Sequence, residues 1–308
     1  MDCVLGPVPV KFIAVVGSVV VVAGLVGAAF AFRSGSPSAP AAAATTSDNG
    51  KGFPQPPRGA VVYAREWGGD AIALGVVPQK GHVLAQVSVL GPQGIGVSRL
   101  QVSLNGQAAT ACGAGCYRTT LRGVPASVDV RVRSTRWQVA LPAPWPPRDA
   151  SAVLERAERV WRSLHSLTFH EHLASDAIHE TTSTWRIEAP DRVAYQVQGG
   201  YAGIVVGDHR WDRSPTAKRW VPSAQSRLTQ PVPAWVRVTD AHVLGTAIVG
   251  GRPAWRISFF DPGTPAWFTV AIDRQTFHTL DSRMTATAHF MHDAYSSFDT
   301  TPAILPPR

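Results

Sequence analysis

The sequence predicts a mainly β protein with one transmembrane helix, in which an immunoglobulin-like β-sandwich precedes an α+β curved antiparallel half-barrel. Three observations lead to this fold class. An uncharged run lies near the amino terminus, short alternating strands follow it, and one amphipathic helix then precedes a long series of strands. The predicted segments are an anchor (1–33), a disordered tether (34–57), the sandwich (58–141), a linker (142–148) and the half-barrel (149–308).

The run from Phe12 to Phe32 is uncharged and is bracketed by Lys11 and Arg33. As a helix it spans about 32 Å, enough to cross the roughly 30 Å hydrocarbon core of a bilayer. We therefore expect a single-pass protein of the cell membrane, with its amino terminus in the cytoplasm and its bulk outside the cytoplasm. Two alternatives stay open: a cleaved secretory signal, for which residues 29–31 (AFA) supply a cleavage site, and the last helix of a split polytopic protein.

The charge pattern argues against a nucleic-acid partner. The formal net charge is +8, but the basic residues are scattered singly and form no block of five or six. We therefore expect the positive charge to face a membrane surface or another acidic envelope component.

The tether is rich in Ser, Pro and Ala, which is typical of a flexible spacer.

Two features characterise the predicted sandwich. Strand patterns such as His82–Leu90 are separated by turn signals such as Asn105-Gly106, with no helical pattern between them. Cys112 and Cys116 lie in a glycine-rich turn, and outside the cytoplasm such a pair is expected to form a disulfide. A copper or zinc thiolate site is the alternative, although no histidine lies within 25 residues of the pair.

The half-barrel begins after the proline-rich linker PAPWPP. Asp149 is expected to cap a helix whose apolar positions run from Val153 to Leu164 on one broad face. The strands that follow predict one antiparallel meander, with its last strand at residues 279–289. Because the single helix has one apolar face, we expect it to cover the concave side of a strongly curved sheet.

The order of these segments resembles the LolA/LolB-like lipoprotein-carrier fold. The resemblance covers residues 149–307 and is carried by TWRIEAPDRVAYQV, IVVGDHRWDRSP, GRPAWRISFFD and AWFTVAIDRQTFHTLDSRM. The resemblance implies a helix on a curved sheet. It does not specify an activity, because related half-barrels carry lipids, bind peptides or sense envelope stress.

Both soluble segments together also look like the extracytoplasmic carboxy-terminal part of actinobacterial copper-resistance D (CopD-like) proteins, with a YtkA-like sandwich. ATACGAGCYRTTL is similar to the cysteine-bearing strand of that sandwich. The chain departs from the pattern in having one membrane helix instead of several. Copper handling, and a polytopic membrane partner, are what this resemblance implies.

Imidazole and thioether groups are suitable copper ligands, and they cluster in two strands of the half-barrel. The candidate metal ligands are His170, His172, Met284, His289, Met291 and His292. The alternative is that the histidines lie on a solvated strand face and that the methionines fill the core.

Aromatic side chains suggest a second kind of site. Six tryptophans follow the helix in the half-barrel, and large rings line apolar ligand pockets as readily as they fill a core. Trp211, Trp220 and Trp235 are the candidate pocket residues, and Trp235 is the best candidate for a pocket flap because it lies in a proline-rich segment.

We find no G-x-S-x-G, H-E-x-x-H, P-loop or dinucleotide-binding motif and therefore expect a protein that is not an enzyme. The first hypothesis is a membrane-anchored extracytoplasmic binding module whose half-barrel binds a lipid, another hydrophobic ligand or an envelope partner. The second is a copper-binding chaperone that delivers metal to a membrane transporter.

Overall fold

The computed structural model describes residues 54–67, 70–91, 96–174, 180–228, 235–286 and 290–308. The predicted anchor and most of the predicted tether lie outside these ranges. No helix among the described residues is both long and apolar enough to span a membrane.

Nine strands precede the linker in the described part of the chain. They are β1 (Val61–Trp67), β2 (Asp70–Gln79), β3 (His82–Leu90), β4 (Val102–Leu104), β5 (Gln107–Ala108), β6 (Thr110–Gly113), β7 (Cys116–Arg122), β8 (Ser127–Val132) and β9 (Thr135–Ala140).

These strands form two facing antiparallel sheets, β1-β2-β3-β7-β6 and β5-β4-β8-β9. Apart from the added strand β1, this is the A-B-E-D and C′-C-F-G order of an immunoglobulin-type Greek key. Alternating residues of both sheets meet in one core, for example Leu74 and Val87 from the first sheet and Val130 and Trp137 from the second.

The β6–β7 hairpin contains a disulfide between Cys112 and Cys116, whose Cα atoms lie 5.0 Å apart. Gly113 and Gly115 both have a positive φ, a backbone conformation that glycine adopts without steric cost. The predicted disulfide is confirmed. Because a disulfide has no thiolate to offer a metal, the structure rejects the copper or zinc alternative for this pair.

The chain after the linker contains one helix and eleven strands among the described residues. They are α1 (Ser151–Ser163), β10 (Ser166–Ala174), β11 (Glu180–Glu188), β12 (Arg192–Val197), β13 (Ala202–Val206), β14 (His209–Arg213), β15 (Val221–Ser223), β16 (Thr239–Val249), β17 (Arg252–Asp261), β18 (Ala266–Asp273), β19 (Thr279–Ala286) and β20 (Phe290–Ser296).

The eleven strands form one antiparallel sheet in the order β15-β14-β13-β12-β11-β10-β20-β19-β18-β17-β16. It is therefore two meanders joined where β10 pairs with β20, and not the single meander that the sequence predicts. The predicted last strand at 279–289 is also wrong in its bounds, because β19 ends at Ala286 and β20 begins at Phe290. We call the β10–β20 pairing the seam.

The large sheet curves around α1. Side chains from β16 through β20 and from β10 and β11 share buried clusters with the helix or adjoin it. Seven flat strands would extend over roughly 30 Å at about 4.8 Å spacing, whereas a helix with its side chains is about 10 Å across. One helix can contact so many strands only if the sheet bends around it, which is the predicted arrangement.

Helix α1 buries Leu154, Ala157 and Trp161, whose spacing of three and four residues places them on one face. The prediction that Asp149 caps the helix is wrong. Ala150 occupies the N-cap position without a side-chain cap, and the Asp149 carboxylate instead accepts a hydrogen bond of 3.0 Å from the backbone N–H of Ser151.

The sandwich packs against the convex face of the large sheet, opposite the helix. Val62 and Ala73 belong to one buried cluster with Phe260, Trp267 and Phe290 of the large sheet. β2 and most of β3 are consequently buried on both faces, and the described part of the chain has four layers: sheet, sheet, sheet and helix.

The predicted linker is attached to both halves. Trp145 packs against the sandwich core, and the carbonyl oxygen of Arg148 accepts a 2.9 Å hydrogen bond from the backbone N–H of Val243 in β16. The segment 142–148 is therefore part of the packed structure and not a free spacer.

Candidate functional site

The concave face of the large sheet carries two apolar clusters under the helix. The Phe259 cluster lies against Leu154 and Ala157 and contains side chains from β10 and from β16 to β20. Its members include Ile257, Phe259, Phe268, Val270, Ile272, Met284 and Met291. The Phe169 cluster lies around Trp161 and consists of Leu164, Leu167, Phe169, Trp185, Ile187 and Tyr295.

A row of polar side chains crosses the seam between these clusters. Glu171 of β10 is the direct cross-strand partner of Asp293 of β20, and their outer neighbours in the same row are Ser183 and Ser282. Glu171 is 4% exposed and Asp293 is 2% exposed. Each replaces an apolar residue on the buried face of its strand, so two carboxyl groups lie side by side in the interior.

Each carboxyl group is hydrogen-bonded through one oxygen only. Oε2 of Glu171 accepts hydrogen bonds from Ser183 Oγ at 2.7 Å and from Trp185 Nε1 at 2.9 Å, and Oδ2 of Asp293 accepts one from Tyr295 Oη at 2.8 Å. Among the described residues, Glu171 Oε1 and Asp293 Oδ1 are buried without a hydrogen-bond partner.

Burial acts on the protonation of the pair. It raises the pKa of the Glu171 carboxyl above its ordinary value, against the opposing effect of the Ser183 and Trp185 hydrogen bonds. Burial also raises the pKa of Asp293 well above its usual range, and the nearby Glu171 charge adds to that shift. The interior therefore favours a protonated, uncharged form of at least one member.

Trp235 closes one side of the concave face. Its ring packs edge-on against Phe259, with ring centroids 5.3 Å apart, and against Phe268 at 6.1 Å. The next residue, Val236, is 68% exposed, so the indole enters the interior from a segment at the surface. The ring is part of the core, and the role of a pocket flap stays a prediction.

Asp261 fastens the Trp235 segment to the end of β17. Its carboxylate accepts hydrogen bonds from the backbone N–H of Val236 at 2.6 Å and of Arg237 at 3.2 Å, and from Gly263 in the following turn at 2.7 Å. Asp261 thus connects the Trp235 segment to the turn that follows β17.

Several side chains of the concave face are only half-buried near β12 to β14. There Tyr195 Oη donates to Asp212 at 3.1 Å and accepts from Arg210 at 2.8 Å, and burial raises the pKa of Tyr195 to about 12. Gly203 lies beneath the ring, because a Cβ at that position would approach the ring to 2.3 Å. This half-buried polar group lies at the β12–β14 end of the concave face.

Comparisons with known proteins add similar folds to this geometry. LppX, a lipoprotein of Mycobacterium tuberculosis, is 15% identical with a TM-score of 0.41, covering 50% of this chain and 96% of LppX. LprF from Mycobacterium bovis is 9% identical with a TM-score of 0.40, covering 55% of this chain and 99% of LprF. No family model and no curated protein matches the chain.

These similarities concern the fold of about half of the chain and assign no ligand to it. The helix on a curved antiparallel sheet, which the lipoprotein-carrier resemblance implied, is present. The CopD-like relationship is not shown by any of the comparisons.

The predicted copper ligands do not form one site. Met284 and Met291 are cross-strand neighbours inside the Phe259 cluster, on the concave face. His172 and His292 are cross-strand neighbours on the opposite face, because successive strand residues point to opposite sides. His170 lies on that face too, and His289 lies outside the described residues. No group of three or more His, Cys, Asp or Glu side chains is placed to hold a metal within the described ranges.

The histidines on the convex face have carboxylate or hydroxyl partners. His170 Nδ1 lies 2.9 Å from Thr184 Oγ1, and His292 Nε2 lies 2.6 Å from Asp281 Oδ2. Burial acts to raise the pKa of Asp281, but His292 and Arg256 outweigh it and hold this pKa below its ordinary value. These contacts account for the histidines as members of polar networks.

The three candidate pocket tryptophans are separated. Trp211 lies on β14, where its neighbours Arg210 and Asp212 face the concave side, so its own ring faces the convex side near His209. Trp220 contacts the Arg213 guanidinium, 4.8 Å from its ring centroid. Of the three, only Trp235 reaches the concave face, so the structure does not bring the three rings into one site.

Proposed function

We propose that this protein is a non-enzymatic, membrane-tethered binding module whose concave face takes a hydrophobic ligand outside the cytoplasm. The observation that carries the proposal is the arrangement of two apolar clusters around a single helix, with half-buried side chains at the β12–β14 end of the concave face. Long apolar chains bind in concave, mostly apolar sites with a few polar groups, which is the composition of this face.

The location is part of the same proposal. The apolar run from Phe12 to Phe32 would anchor the chain, and the disulfide suits an oxidising compartment. A module tethered at this surface would meet membrane lipids directly. Copper delivery is not favoured by the positions of the histidines and methionines.

The test uses a long-chain alcohol that carries a photoactivatable diazirine, added to vesicles that contain the full-length chain. We expect irradiation to label the wild type outside residues 12–32, and Ala157→Phe to lower this labelling about tenfold, which corresponds to about 1.4 kcal/mol of binding free energy. Ala157 is 1% exposed and faces the concave sheet, so the added ring would occupy the space of the ligand.

Ala152→Phe is the matched control, because Ala152 lies on the solvent side of the same helix. This variant should label like the wild type, and circular dichroism should show that both variants are folded. Equal labelling of the wild type and a folded Ala157→Phe variant would contradict the proposal.

A further inference from the structure

The Glu171–Asp293 pair is a costly feature that the packing of the two apolar clusters does not require. Both side chains are more than nine-tenths buried, and each has one oxygen without a hydrogen-bond partner among the described residues. Buried polar atoms in folded proteins are nearly always hydrogen-bonded, because an unpaired group loses its contact with water and gains nothing. Two adjacent unpaired acceptors therefore suggest a donor that is not part of this chain.

No cation of the chain acts as that donor within the described ranges. The hydrogen bonds to Glu171 come from Ser183 and Trp185, and the hydrogen bond to Asp293 comes from Tyr295. The nearby charges that act on Asp293 are both acidic: those of Glu171 and Asp281. The helix residues above this face, including Ala157, are apolar. The unpaired groups of this polar row are the two carboxyl oxygens and the Ser282 hydroxyl, so the row has spare acceptors and no positive charge.

We infer that the Glu171–Asp293 pair holds the head group of a bound amphiphile and selects a hydrogen-bond-donating head, a primary ammonium above all, over an anionic one. This inference rests on the proposed function and names the class of ligand for the same site. An ammonium or hydroxyl group can donate to Glu171 Oε1 and Asp293 Oδ1, whereas a carboxylate or phosphate would bring a further acidic group beside a buried acidic pair. The apolar clusters on either side of the polar row would take the hydrocarbon chain.

The experiment compares three versions of the photoactivatable probe that share one chain and end in an amine, an alcohol or a carboxylate. Each is added to phosphatidylcholine vesicles that contain the full-length chain at pH 7. The readout is the ratio of amine to carboxylate labelling in the wild type, divided by the same ratio in the double variant Glu171→Gln, Asp293→Asn. Because both proteins meet the same vesicles, differences in membrane partition cancel.

We expect this quotient to be about ten, since hydrogen bonds to charged groups are worth roughly 1.5–3 kcal/mol. The double variant is nearly isosteric, and its folding is checked by circular dichroism. A control that replaces two exposed carboxylates, Glu155→Gln with Asp208→Asn, should keep the wild-type ratio.

The possible results separate the two proposals. Labelling by all three probes with a quotient near one would overturn the inference and leave the hydrophobic-ligand proposal intact. The same holds for a folded wild type that prefers the carboxylate probe. Absence of labelling outside residues 12–32 by any probe would contradict the proposed function itself.

Discussion

At the scale of single residues, the buried Glu171–Asp293 pair should set the pH dependence of stability. Burial raises the pKa of both carboxyls, so the folded state holds protons that the unfolded state releases. Where the folded state binds more protons, the free energy of unfolding falls as pH rises. The pair thus contributes its full stability only below the ordinary carboxyl range near pH 4, and this contribution is lost as pH rises through the raised values.

The double variant Glu171→Gln, Asp293→Asn should therefore lose less stability than the wild type between pH 5 and pH 8. We expect the difference to be on the order of 1–2 kcal/mol, because one unit of pKa shift corresponds to about 1.4 kcal/mol. Urea denaturation of both proteins at the two pH values measures it. His242 and His278, whose pKa values are lowered by burial, titrate equally in both proteins. Identical slopes would show that the pair carries no raised pKa.

The carboxyl pair left a signal in the sequence that alternation alone could have detected. In β10, Glu171 lies between Phe169 and Leu173 on the otherwise apolar face of the strand. In β20, Asp293 likewise follows Met291 on the buried face. A carboxylate at an apolar-face position is unusual. The adjacent His170 and His172 favour a metal-site interpretation of the same strand. That the two carboxyls are neighbours could not be predicted, because they belong to strands at opposite ends of the segment.

At the scale of elements, the seam shows where sequence patterns stop being informative. Positions 279–296 contain no glycine, proline or Asn-Gly pair to mark a turn, so the residues predict one strand where the structure has β19 and β20. The bounds of β3 were predictable, because alternation runs through residues 82–90 and turn signals flank them. Pairing between the first and last strands of a segment is non-local and leaves no comparable mark.

The Trp235 segment is the element whose removal should open the concave face. Trp235→Ala should lower the free energy of unfolding by about 3–5 kcal/mol, as is usual for a large buried ring. It should also increase binding of an apolar fluorescent dye, because the lost indole exposes the side chains of Phe259 and Phe268. Denaturation followed by circular dichroism and a dye titration give the two quantities.

Trp220→Ala is the appropriate comparison, since Trp220 is only partly buried and contacts Arg213 at the surface. It should cost no more than ~1 kcal/mol and leave dye binding unchanged. If Trp235→Ala behaved like Trp220→Ala, the indole would not be closing an apolar interior.

At the scale of the whole molecule, the sandwich and the half-barrel share one buried cluster. β2 shows the reason in its sequence, because AIALGVV is apolar without alternation, and strands with this pattern are buried on both faces. The sequence therefore indicates that the outer face of this strand is covered. It does not say what covers it, because that depends on Phe260, Trp267 and Phe290 in a distant segment.

Ala73→Arg tests whether this packing matters for stability. Ala73 is 1% exposed and belongs to the shared cluster, so the variant would bury an unpaired charge between the two halves. We expect a loss of at least ~3 kcal/mol in the free energy of unfolding. Ala108→Arg, at an exposed strand position of the same sandwich, should change it by less than ~0.5 kcal/mol. Equal effects of the two variants would mean that the halves do not pack as described.

The position of the adducts formed by the photoactivatable alcohol tests the central claim most directly. After irradiation of the full-length chain in vesicles, digestion and mass spectrometry locate the labelled residues. The account predicts that labels outside the apolar run fall on the concave face, in α1, β17, β18 and the neighbourhood of Trp235. Labels confined to residues 12–32, or spread over the sandwich and the convex face, would contradict it.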